Sequence, residues 1–197
     1  MFTGIVEEKG HIVRMIRADQ GMRIEVDGPL VSGDLETGDS IAVNGVCLTV
    51  VAATSTGFSA DIVKETLDRT NLGGLQSGSA VDLERPMSAT GRFDGHIVQG
   101  HVDGVGRVDR VSPEGAGRRM SIKAPERLNR FMVEKGSVTV DGVSLTIAGL
   151  IEGGFETALI PHTLAVTVLG ERLPGDLVNL EVDVIAKYVE RLLKERA

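Results

Sequence analysis

Two short stretches hold the side chains with the most chemistry. Residues 44–50 read NGVCLTV, and ninety-seven positions later residues 141–147 read DGVSLTI. Side chains alternate faces along a strand, so Cys47 and Thr49 share one face, and Ser144 and Thr146 share the matching face of the second copy. Leu48 and Val50, like Leu145 and Ile147, take the opposite face. A plain solvent-facing strand would carry Lys or Glu at such places. Small thiol and hydroxyl groups instead leave room for a flat ligand. Gly100-His101-Val102 stands where the first copy has Gly4-Ile5-Val6, and His101 is a side chain suited to proton transfer near neutral pH. A lone histidine is more often structural. His96 and His101, five residues apart near Asp94 and Asp103, are a weak metal pattern, and Gly104-x-Gly106 is too short for a phosphate cradle.

The echo extends along the chain. LDRTNLGGLQSGSAVDLE (67–84) matches LAVTVLGERLPGDLVNLE (164–181), with Thr70 facing Thr167, Gly73 facing Gly170 and Glu84 facing Glu181. Residues 2–15 resemble 98–111 with a shift of one, so that Gly4 faces Gly100 and Gly10 faces Gly106. A period near 97 is too long for a solenoid repeat of about 20–50 residues and suits a small barrel. The turn-rich stretch ERPMSATGRFDG marks the boundary. Each repeat offers about six short segments of strand composition bounded by Gly, Asp, Asn or Ser. Asn44-Gly45 and Asp141-Gly142 read as two-residue hairpin turns, and 28–37 and 125–132 as short helices. The expected fold is therefore all-β with short helices: two tandem six-stranded Greek-key barrels, closed because closure removes sheet edges. The expected division is 1–94, 95–184, and a C-terminal amphipathic helix over 185–197. Ile185, Tyr188, Val189 and Leu192 fall at helical spacing there. That stripe must be buried on the chain's own barrel or on the same helix of sister chains.

Composition narrows the function. Of 197 residues, 42% are hydrophobic but only 3% aromatic, so the core is aliphatic. The net charge of −7, without a basic tract, argues against a nucleic-acid groove or an anionic membrane surface. No apolar run approaches a membrane span, and MFTGIVEEKG lacks the features of a signal peptide. A single cysteine forms no internal disulfide, which points to the cytoplasm.

With MFTGIV, NGVCLTV, KETLDRTNLG, GHIVQGHVDG, KGSVTVDGVSLTI, IPHTLAVTVLG and a terminal amphipathic helix in this order, the chain resembles the riboflavin synthase family of the α-chain type along essentially its whole length. The resemblance implies dismutation of two 6,7-dimethyl-8-ribityllumazine molecules into riboflavin and a ribitylamino-pyrimidinedione by four-carbon transfer, with no metal or redox cofactor. It implies a homotrimer with an active site between the N-barrel of one subunit and the C-barrel of a neighbour, and it leaves open an association with lumazine synthase. Carried over by position, the N-barrel pocket uses Gly4, Ile5 and Val6, then Cys47, Leu48 and Thr49, then Asp61, Ile62, Val63, Lys64, Glu65 and Thr66. The C-barrel pocket uses Gly100, His101 and Val102, Lys135, then Ser144, Leu145 and Thr146, then Ile160, Pro161, His162, Thr163, Leu164 and Ala165. Phe2 and Thr3 reach toward the partner substrate, and Asp183 is a further candidate. His101, Ser144 and Cys47 are the expected catalytic groups, with Cys47 either a polar neighbour of the ring or a covalent nucleophile. The alternative is a non-catalytic antenna protein that binds lumazine or flavin.

Overall fold

The computed structural model describes residues 1–18 and 21–194. The first barrel is made of β1 (Glu8–Ala18), β2 (Gly21–Asp27), β3 (Ser40–Val43), β4 (Val46–Ala53), β5 (Gly57–Val63) and β6 (Ala80–Glu84). Short helices α1 (Pro29–Ser32) and α2 (Lys64–Arg69) lie between strands. Its strands close antiparallel in the order β1-β2-β5-β4-β3-β6. The second repeat runs β7 (Gly104–Glu114), β8 (Gly117–Lys123), α3 (Glu126–Asn129), β9 (Ser137–Val140), β10 (Val143–Ile151), β11 (Gly154–Leu159), α4 (Pro161–Val166) and β12 (Leu177–Val182). Its strands close in the same cyclic order. Helix α5 (Val184–Lys194) follows.

Alternation explains the closure. Over Val46–Val50 of β4 and Val143–Ile147 of β10 every second residue is buried, and Leu48, Val50, Leu145 and Ile147 turn inward. Each barrel is filled by such aliphatic side chains around one phenylalanine, Phe58 in the first and Phe155 in the second. Bulges recur at matching places, between Ile12 and Arg14 and between Val108 and Arg110. They bend the long first strands around the barrel. The hairpin expectation holds: Asn44 and Asp141 both take φ +46, and the glycines after them are also positive, as a type I′ turn requires.

The expected helices over 28–37 and 125–132 are confined to one turn each, over Pro29–Ser32 and Glu126–Asn129. Conversely, α2 and α4 form where strand-rich sequence suggested none. Six residues are too few for a helical period to register in a sequence. Residues 195–197 of the expected terminal helix lie outside the described residues. Helix α5 is tied to the second barrel by Lys187–Asp103 (2.7 Å) and Arg130–Glu190 (2.8 Å). Ile185, Tyr188, Val189, Leu192 and Leu193 nevertheless remain exposed. Among the described residues no helix is long and apolar enough to cross a membrane.

The two halves meet about a pseudo-twofold axis. Phe2 and Val98 exchange backbone hydrogen bonds (2.7 and 3.2 Å) as an antiparallel bridge. The hairpins touch tip to tip: a Cβ added to Gly45 would stand 2.6 Å from the Gly142 nitrogen. Side chains of each half cap the short 3-10 turn of the other. Asn179 Oδ1 accepts from the Asn71 backbone N–H (2.7 Å), and Asp82 Oδ1 accepts from that of Val168 (2.8 Å). Asp141 is fully buried and paired with Arg172 at 2.6 Å. A buried carboxylate needs such a partner or a set of converging hydrogen bonds.

Candidate active site

The chemistry-bearing face of each repeat is covered by the leading segment of the other. The Ser144 backbone N–H donates to the Gly4 carbonyl (2.7 Å), and that of Cys47 donates to the Gly100 carbonyl (2.9 Å). Gly4 and Gly100 have φ +78 and +76, and a Cβ on either would come within 2.6 Å of the Cβ of Ser144 or Cys47. Only glycine satisfies both the dihedral and the approach. Val102 packs against the first core and Val6 against the second. The expected grouping is thus corrected. Gly4, Ile5 and Val6 belong with Ser144, while Gly100, His101 and Val102 belong with Cys47. The repeat pattern reveals that the halves match, but not that their leading segments cross.

Beside each crossed segment the strand offers an exposed threonine, Thr49 or Thr146. Continuing the register Val50↔Ala60 carries β4 past the end of β5, where α2 begins; Ile147↔Thr157 does the same for β10, β11 and α4. Ile5, Val63, Ile160, Pro161, His162 and Ala165 are exposed around these faces, and Thr66, Thr163 and Leu164 are half-buried. Leu48, Leu145 and Ile62 are buried in the barrels, so their side chains turn away from the site. Asp61 is bound to Arg23 by two hydrogen bonds (2.6 and 2.8 Å), and Lys64 and Glu65 form ion pairs along α2 with Asp68 and Arg69. Phe2 and Thr3 do not project outward. Phe2 is fully buried with Ala42 and Val98 against Cys47, and the Thr3 hydroxyl donates to Glu84 (2.9 Å). Lys135 is exposed and held at φ +67, where the first copy has Gly38 at φ +100. A lysine in the left-handed region costs about 1–2 kcal/mol.

Sequence reasoning weighed His96 only as part of a weak metal pattern and missed its place beside Ser144. Its Nδ1 lies 2.7 Å from Ser144 Oγ and its Nε2 lies 3.3 Å from Thr139 Oγ1. Burial lowers its pKa from 6.5, and Asp183 only partly opposes that. Burial thus favours the neutral imidazole at pH 7, and the tautomer with its proton on Nε2, shared with Thr139, leaves Nδ1 able to accept the serine proton. His101, expected beside Ser144, is exposed next to Gly100 at the Cys47 site. The repeat comparison could not flag His96, because the offset of 96 leaves it without a counterpart in the first copy.

The lumazine binding domain profile matches residues 3–86 and again 99–183. The chain belongs to the lumazine-binding domain family. It is 50% identical over 198 residues to riboflavin synthase of Mycobacterium tuberculosis (strain ATCC 25618 / H37Rv), covering 98% of each chain. It is 46% identical to riboflavin synthase of Bacillus subtilis (strain 168), covering 98% of this chain and 90% of that one. A solved structure of LumP complexed with riboflavin covers 92% of this chain and 99% of its own at a TM-score of 0.86 and 27% identity. LumP complexed with 6,7-dimethyl-8-(1'-D-ribityl) lumazine gives a TM-score of 0.84 at 26% identity. The lumazine-binding fold accounts for the doubling: two profile matches, two barrels, two crossed faces.

Proposed function

We propose that the chain is a riboflavin synthase, which converts two 6,7-dimethyl-8-ribityllumazine molecules into riboflavin and 5-amino-6-ribitylamino-pyrimidinedione by moving a four-carbon unit from one to the other. The observation that carries this reading is the pair of matched faces, one of which joins Ser144 to His96 at 2.7 Å. The relatives named above support it. The reaction asks for little beyond placement. The C7 methyl of a lumazine is acidic because the ring spreads the carbanion charge, and C7 of the second molecule is electrophilic. Holding two such rings face to face removes on the order of 7–11 kcal/mol of barrier. Proton transfer adds roughly 10²- to 10⁴-fold. In this scheme His96 takes the Ser144 proton, and Ser144 activates the nucleophile that adds at C7 of one ring. Cys47, Thr49 and His101 hold the other ring, and His101 assists proton movement there. Lys135 and the backbone of the segments from Gly4 to Val6 and from Gly100 to Val102 fix the polar edges.

The same proposal makes the enzyme a cytoplasmic homotrimer in which the N-barrel of one subunit faces the C-barrel of the next. The exposed apolar stripe of α5 supports the assembly, and the free thiol of Cys47 supports the location. Association with lumazine synthase, which the resemblance leaves open, is tested by co-sedimentation. The function itself is tested by supplying purified protein with the lumazine alone. Riboflavin accumulates if the reading is right; lumazine recovered unchanged, bound or free, would mean an antenna protein.

A further inference from the structure

The crossed segments need something to hold them, and each is held by one buried carboxylate. Glu84, the last residue of β6, accepts from the backbone N–H of Thr3 (2.7 Å), the hydroxyl of Thr3 and the backbone N–H of Gly4 (3.0 Å). Glu181, near the end of β12, accepts from the backbone N–H groups of Gln99 (2.8 Å), Gly100 (3.0 Å) and His101 (3.1 Å). Both are almost completely buried, at 5% and 2% exposure. Neither has a cation within ion-pair distance among the described residues, so the converging N–H groups are their main compensation, with the charge of Lys187 also favouring the Glu181 carboxylate. Three donors converging on two oxygens suit a carboxylate, which has about four acceptor sites; an amide offers one oxygen.

We infer that Glu84 and Glu181 are positioning residues acting crosswise: Glu181, in the second barrel, sets the geometry of the Cys47 face of the first, and Glu84, in the first barrel, sets that of the Ser144 face of the second. Neither glutamate touches the reacting face. Each fixes a segment whose glycine carbonyl then binds the opposite strand, Gly100 on Cys47 and Gly4 on Ser144. The crossing makes each site depend on the far barrel. The inference builds on the proposed reaction for its purpose, but it can be read without turnover because Cys47 is the only thiol.

The test is the rate at which iodoacetamide alkylates Cys47 in the native full-length chain, followed by mass. Glu181→Gln is expected to raise that rate about tenfold, because the cover at Gly100 loosens, and Glu84→Gln to raise it by a clearly smaller factor, because it reaches Cys47 only through Phe2 beside the held Thr3. In a Cys47→Ser, Ser144→Cys background the order reverses: the reporter thiol at 144 responds to Glu84→Gln and not to Glu181→Gln. Milder Glu→Asp changes serve where a glutamine variant does not fold, and should show the same pattern at smaller size. Equal rates in both variants, or acceleration of each thiol by the glutamate on its own barrel, would overturn the inference. Should the chain form no riboflavin while the thiol pattern holds, the proposed reaction fails and the crosswise control stands.

Discussion

At residue scale, a hydroxyl sits 2.7 Å from an imidazole that burial holds neutral. The pair works only while His96 can accept a proton. Replacing His96 with Ala should lower kcat by about 10²- to 10⁴-fold with a smaller change in KM; steady-state kinetics at pH 7 checks this. Because the pKa of His96 lies below 6.5, activity in the parent should hold down to that pH and fall only as the imidazole is protonated below it. Lys135 gives a second prediction. Its left-handed backbone is strained for lysine and natural for glycine, which the first copy uses at Gly38. Lys135→Gly should therefore raise thermal stability or leave it unchanged while weakening substrate binding several-fold, as melting curves and KM would show. The small polar pairs Cys47/Thr49 and Ser144/Thr146 were legible in the sequence because strand alternation is local. His96 was not, since its partner lies forty-eight residues away across the crossed segment.

At the scale of elements, the pseudo-twofold seam is asymmetric in charge. Asn179 and Asp82 occupy equivalent places, and each caps the opposite 3-10 turn. The Asn179 amide also donates to the Asn44 carbonyl (2.9 Å), whereas Oδ2 of Asp82 and the amide of Asn44 find no partner among the described residues. Burial raises the Asp82 carboxyl well above its ordinary 3.8, with nearby Asp141 adding to the rise and the Val168 hydrogen bond and Arg172 opposing it. The folded chain thus keeps a proton that the unfolded chain releases above about pH 3.8, so this group's contribution falls as pH rises from there toward the folded value. Asp82→Asn removes that loss and keeps the oxygen that caps Val168. It should stabilise the protein by about 1 kcal/mol at pH 7, a shift of roughly 2–4 °C in melting temperature for a chain of this size. Strands and hairpins were readable from turn residues and alternation. Helices α2 and α4 were not, because one and a half turns leave no period to detect.

At the scale of the whole molecule, duplication was visible as a 97-residue echo, and the closed barrels follow from it. What a linear comparison could not convey is that the copies complete one another, with Gly4 seated on Ser144 and Gly100 on Cys47. Crossing of this kind is a property of three-dimensional symmetry, not of local propensity. It predicts two ligand sites per chain, each needing both halves. Calorimetric titration with an 8-ribityllumazine carrying oxygen in place of the C7 methyl, which cannot lose the methyl proton and so cannot react, tests this most directly. Two equivalents bound per chain, reduced to one by Gly100→Ala, is the expected result; a single equivalent in the parent chain would contradict it.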